Sequence, residues 1–372
     1  ITSGGAITDS GTQAITGAAT FTNTAGTNDA ITLDDASNAF SGTVTLSTDS
    51  GSAVTVVDTT ALDLLALSAA SLSVTAGGAV TDSGTLAITG ATTISASGQD
   101  ITLDEAASTF GTLALTGVNV AVTENAATDL GATTVSGTLG ITSAGAVTDS
   151  GTLAITGATT ISASGQDITL DDAASTFGTL ALTGANVAVT ENEATDLGAS
   201  TVSGTFGITS GGAITDSGTQ AITGASTFTN TAGTNDAITL DDASNAFSGT
   251  VTFSTDSGSA VTVVDTTALD LLALSAASLS VTAGGAITDS GTLAVSGATT
   301  LIASGQDITL DEAASTFGTL SLIGANVAVT ENDATDLGAS TVGGTFGITS
   351  GGAITDSGTQ AITGAATFTN TA

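Results

Sequence analysis

Carboxylates are the only side chains in this sequence that ionise near neutrality: 35 Asp and Glu stand against no Lys, no Arg and no His. Any chemistry must rest on their oxygens. They recur as adjacent pairs, Asp34-Asp35, Asp104-Glu105, Asp171-Asp172, Asp241-Asp242 and Asp311-Glu312, each closing an I-T-L run. Two chemistries use such residues. Oxygen clusters hold Ca2+, and two carboxyls can hydrolyse a glycoside as acid and base or nucleophile. The hydrolytic reading fails because each pair is copied with its surroundings, whereas an active site is built once. Nor is there a Trp or Tyr to stack on a sugar ring, or a cation to steady an oxyanion. No enzyme is expected, and no catalytic or cofactor-binding residue is assigned.

Ca2+ is the one candidate cofactor, and the spacing argues against a simple site. Asp100 and Asp104, four residues apart on a strand, would lie about 13 Å apart. Adjacent Asp104 and Glu105 would point to opposite faces unless a turn gathers them. No D-x-D-x-D-G loop occurs. No residue is therefore assigned as a metal ligand, and the pairs are expected to be solvated turn residues that keep the protein soluble.

Composition closes other routes. With a formal charge of −35 and no Lys or Arg, the chain has no electrostatic footprint for nucleic acid or an anionic membrane surface. Without Cys and His, disulfides, thiolate metal sites and the usual nucleophilic triads are excluded. A hydrophobic fraction of 41% and a mean hydropathy of +0.43 are too apolar for a solvated coil. The chain should fold. No apolar run approaches the roughly 18 residues that span a bilayer, and the most apolar stretch, residues 61–70, is interrupted by Asp63; no membrane insertion is expected. No basic leader or cleavage site is visible, and the absence of Met reads as a segment of a longer chain.

Repetition then decides the fold. G-A-(I/V)-T-D-S-G-T recurs from Gly5, Gly78, Gly145, Gly212, Gly285 and Gly352, giving cassettes of 73 and 67 residues. Residues 1–80 and 208–287 differ only at Ala19/Ser226, Leu46/Phe253 and Val80/Ile287, and the apolar swaps mark inward positions tolerant of size. Repeats of this kind build solenoids, propellers or arrays. The 67-residue cassette divides into segments of 20, 27 and 20 residues, each with three short runs of alternating apolar residues closed by Gly, Ser, Asp or Asn. That is three short strands per coil of roughly 20 to 31 residues, with insertions at S-G-Q and E-A-A-S-T that lengthen to N-T-A-G-T-N-D and D-D-A-S-N-A.

The expected class is all-β: a right-handed parallel β-helix, with residues 1–372 as one continuous solenoid. Stacking coils at about 4.8 Å pairs the backbone and fills a narrow interior. A thin core suits 11 Phe and no Trp, and the absence of Pro suits uninterrupted ladders. Tandem sandwich domains are the rival, although about 100 residues is usual for them. A helix over residues 59–73, on Leu62, Leu65, Ala69 and Leu72, is the local alternative; the strand-like short-cassette counterpart favours strands. If Leu113 and Leu115 point inward, Thr112, Ala114 and Thr116 point out, as do Thr152, Ala154 and Thr156, and Thr43, Thr45 and Ser47. This flat, uncharged strip could pack against another rod, whereas Ala breaks the Thr ladder that an ice-binding face needs.

The run TLAITGATTISASGQDITLD, residues 152–171, with its recurrent L-x-(I/L)-T-G and D-I-T-L, resembles the repeats of filamentous-haemagglutinin-type exoproteins and related giant bacterial surface adhesins. The resemblance implies a right-handed β-helix, export through an outer membrane and a shaft that presents adhesive tips; the family's amino-terminal secretion domain is not in this segment. The expected role is a structural, extracellular β-solenoid in a bacterial surface filament, matrix or adhesin. The alternative is a calcium-dependent adhesin bridging cells, glycans or sister rods. Expected partners are further copies, laterally or end to end, and a glycan or cell-surface receptor.

Overall fold

Alternation places every second residue of the I-T-L and L-x-I runs inward, and the computed structural model of the chain realises this in short strands. It describes residues 1–24, 29–49, 51–231, 236–255 and 258–371. The long-cassette insertions at residues 23–29 and 230–236 therefore lie partly outside the described residues. Among the described residues there is no helix, and so none long and apolar enough to cross a membrane. In the strand Ile101–Leu103, Ile101 and Leu103 are fully buried while Thr102 between them is half-buried.

Each strand pairs in parallel with the one a turn later. Ile101 lies opposite Val120, Val120 opposite Leu139, and Leu139 opposite Thr159. Three sides make a turn, and the fold is a parallel β-solenoid. Residues 59–73 fall in the strands Leu62–Leu64, Leu67–Ala69 and Ser71–Ala76, not in a helix. The chain forms two compact units, Ile1–Gly184 and Ala185–Ala372. In the first, Ile7, Ile31, Val54 and Leu72 form one inward stack, and Phe21 meets Phe40 edge to face at 5.9 Å. In the second, Phe228 sits edge to face with Phe206 and Phe247 and stacks on Phe253 at 5.7 Å. All three paired differences between residues 1–80 and 208–287 are buried.

Cassette and turn do not coincide. From Ala19–Asn23 to Leu86–Ile88 the first long cassette supplies ten strand positions: Ala19–Asn23, Ile31–Leu33, Ala39–Phe40, Thr43–Ser47, Ala53–Asp58, Leu62–Leu64, Leu67–Ala69, Ser71–Ala76, Val80–Asp82 and Leu86–Ile88. At three sides per turn, ten strands make three and a third turns. The stack of Ile7 accordingly passes through Ile31, Val54 and Leu72 to Thr92. Its cassette copy Val80 lies between the last two in sequence and stands on another side, under Ile101.

The division of a cassette into three coils with insertions at one corner is corrected by this offset. Successive copies come round to successive corners. The longest turn in the described pairings carries Ala14 to Ala39, 25 residues rather than 31, because the cassette holds more than three turns. The outward strip is likewise divided. Thr116 stands under Thr134, and Thr134 under Ala154, but Thr43–Ser47 precedes Ala53–Asp58 on a neighbouring side. That second strand lies beneath Leu72, Thr92 and Leu113.

Glycine is required where turns touch. A Cβ on Gly111 would lie 2.6 Å from the Gly90 carbonyl oxygen, whereas Gly98 has open space and a φ of +78°. Gly111→Ala should lower stability by about 1–3 kcal/mol through overpacking, and Gly98→Ala by about 1–2 kcal/mol through left-handed backbone strain. Gly4→Ala, in open space at ordinary φ, should be nearly silent. Urea melts of the three variants check this order.

Candidate functional site

Five carboxylates of the G-A-(I/V)-T-D-S-G-T repeats, those of Asp9, Asp82, Asp149, Asp216 and Asp289, act one turn away. Asp149 accepts the backbone NH groups of Asp171 at 2.8 Å and Asp172 at 3.3 Å. Asp82 accepts the NH of Asp104, and Asp289 that of Asp311, both at 2.8 Å. Asp9 takes the NH groups of Asp34 and Asp35 and, at 2.6 Å, the amide of Asn38. Asp216 does the same with Asp241, Asp242 and Asn245. In these contacts the acid pairs singled out in the sequence supply backbone NH groups to an aspartate one turn earlier.

Behind each such corner lies a buried polar residue. Asn38 receives the Gln13 NH at 2.7 Å, and in the short cassettes Ser108 and Ser175 receive those of Leu86 at 3.0 Å and Leu153 at 2.9 Å. Burial pushes the Asp82, Asp149, Asp216 and Asp289 carboxyls above the ordinary Asp value of 3.8; the NH bonds oppose the lift and the neighbouring acids add to it. At Asp9 burial also raises, but the Asn38 amide and the NH groups of Asp34 and Asp35 outweigh it and the net shift is downward.

Serine of the same motif works in the other direction. Ser150 donates to Asp129 in the turn below at 2.9 Å, and Asp129 also accepts the Thr112 hydroxyl at 2.8 Å. Ser83 binds Asp63 and Ser290 binds Asp270 in the same way. The adjacent Asp and Ser of one T-D-S-G thus fasten three consecutive turns. A further corner runs from Asp100, which accepts the NH and side-chain amide of Asn119 at 3.0 Å each, to Thr138, whose NH and hydroxyl reach the Asn119 oxygen at 3.1 Å each.

A third set of acids, not singled out in the sequence, lies inside. Glu124 receives the Phe110 NH at 2.7 Å, and Glu331 that of Phe317 at 3.1 Å. In the long cassettes Asp58 and Asp265 receive those of Phe40 and Phe247, both at 3.1 Å. The signal was present: Val120, Val122 and Glu124 share one phase of the strand alternation, and all three are buried.

Among the described residues no three acids gather closely enough to hold a metal ion. An open groove of about 520 Å³ in the second unit is lined by Ser304, Gly305, Ile323, Asn326 and neighbouring small residues and holds no carboxylate. The acids described above mainly accept hydrogen bonds between turns. Asp82→Ala should therefore destabilise the protein by about 1–3 kcal/mol by stranding the Asp104 NH. Asp82→Asn keeps an acceptor without a buried charge and should cost clearly less. Urea midpoints of the two variants decide it, and equal losses would contradict the staple.

No curated protein and no solved structure matches the chain significantly. A family of repeats of unknown function, DUF5649, matches residues 1–47, 51–116, 117–183, 184–254, 258–323 and 324–372. These segments take in nearly the whole sequence, so the chain belongs to this family of repeats.

Proposed function

We propose that the chain is a structural element, an extracellular β-solenoid forming the shaft or body of a bacterial surface filament, matrix or adhesin, and not an enzyme. The observation that carries this reading is the disposition of the carboxylates described above: they accept hydrogen bonds from neighbouring turns, and among the described residues no three acids gather into a metal-binding cluster. Its action is mechanical. Parallel ladders resist extension and bending, and a chain without Lys or Arg offers trypsin-like proteases no cleavage site. The same chain would associate with further copies, laterally or end to end, and would present a glycan or receptor-binding tip carried elsewhere.

The test is electron microscopy of the isolated protein, with and without a chelator. Rods that lengthen by roughly 0.2 Å per residue, the value set by a strand spacing of about 4.8 Å, and that persist in chelator are the expected result. Round particles with no fixed axial rise would overturn the shaft reading. Rods that separate only when divalent ions are removed would replace it with the calcium-dependent adhesin.

A further inference from the structure

The geometry points to Glu124 and Glu331 as proton-binding latches that make this solenoid hold more firmly in mild acid than at neutral pH. Both side chains are almost wholly buried, 2% and 3% exposed. In each, one carboxyl oxygen accepts a single backbone NH, from Phe110 or Phe317. The other oxygen, Oε2 of Glu124 and Oε1 of Glu331, is buried and makes no hydrogen bond. An ionised carboxylate needs more donors than that, and a buried one without them is costly.

A proton resolves the deficit because an acceptor stands nearby. Four residues on, at the same inward phase, come Thr128 and Thr335. The Thr128 hydroxyl donates to Ser143 Oγ at 3.0 Å, and Ser143 donates to the Ala126 carbonyl at 2.8 Å. Thr128 Oγ1 is therefore free to accept. The Thr335 hydroxyl is itself buried and outside hydrogen-bond geometry with any partner. A proton taken from water onto the orphan oxygen forms an O–H bond that donates to the threonine. The other oxygen keeps its backbone NH, and nothing is displaced.

The surroundings contain no cation that would hold the charge instead. The strand below Glu124 leads into Asp104 and Glu105, and the one above places Ser143 opposite it. Around Glu331 the corresponding groups are Asp311 and Glu312 below and Ser350 above, with Asp333 two residues on. Lys, Arg and His are absent from the chain. Burial accordingly lifts both carboxyls above the ordinary Glu value of 4.5. The Phe110 NH and the Thr128 hydroxyl oppose the lift at Glu124, and the Thr335 hydroxyl and the Phe317 NH at Glu331, where the Asp333 charge adds to it.

The sign follows from linkage. A folded value above the unfolded one means that the native state takes up a proton first. The stabilisation is absent above the folded value, grows as pH falls through it, and is complete below the ordinary value of 4.5. The T-D-S-G aspartates with raised values act in the same direction, so the test must isolate the glutamates. The chain has six: Glu105, Glu124, Glu191, Glu193, Glu312 and Glu331.

Two measurements on the intact chain decide the proposal, both at constant high salt so that the −35 charge is equally screened. In glutamate-selective 13C NMR, Glu124 and Glu331, assigned by single substitution, should titrate at higher pH than Glu105, Glu193 and Glu312. In urea melts between pH 7 and pH 5, the wild-type midpoint should rise as pH falls. The double variant Glu124→Gln/Glu331→Gln, whose amides imitate the protonated acids, should start from a higher midpoint at pH 7 and gain clearly less, while Glu193→Gln keeps the full gain. Glutamates that all titrate together, or a double variant with the wild-type gain, would overturn the proposal. The NMR measurement stands even if the double variant fails to fold.

Discussion

The parallel ladder between turns is the constraint on which the rest depends. A strand in this solenoid can pair only with the strand below and the strand above, as Ile101, Val120 and Leu139 do. Side chains at the corners must then satisfy whatever the ladder leaves open, within the spacing of about 4.8 Å that the ladder sets. That spacing suits short side chains. It explains why Asp, Ser, Thr and Asn carry the corners, and why glycine appears where one corner backbone presses on the next, as Gly111 does on Gly90.

The absence of cations turns this into a particular chemistry. A carboxylate that would elsewhere pair with Lys or Arg here collects backbone NH groups and hydroxyls, each a charge-assisted hydrogen bond. Asp149 takes two NH groups from the turn above, and Asp129 takes hydroxyls from both neighbouring turns. Such bonds depend less on salt than surface ion pairs do, because the donor belongs to the backbone or to a short neutral side chain. They also tie each acid to its neighbours along the axis, so acidity and cohesion come from the same residues.

Much of the fold was legible because alternation is local: Ile101, Thr102 and Leu103 declare a strand and its inward face without reference to anything distant. The T-D-S-G repeat was legible too, but its work was not. The partner of Asp82 is the NH of Asp104, a group every residue but Pro possesses, so the sequence carries no trace of the pairing. Turn phase was hidden for a related reason. A turn ends where the backbone closes on the strand beneath, and ten strands per cassette close three sides as readily as nine would. Glu124 is the instructive case, since its shared phase with Val120 and Val122 is the local signal of its burial.

Because stability in such a stack is a sum of contacts between adjacent turns, a cassette can be added wherever its first strands find parallel partners of matching length. The offset of a third of a turn is no obstacle, since each strand meets its neighbours and not its own copy. The core follows the same rule. Leu46 lies above Phe21 in the first unit, and in the second its counterpart Phe253 lies above Phe228 with the rings stacked at an interplanar angle of 17°. A larger side chain is absorbed between two turns and leaves the next pairing intact. A molecule built this way can change length by duplication while every local contact stays within the range the ladder already accepts.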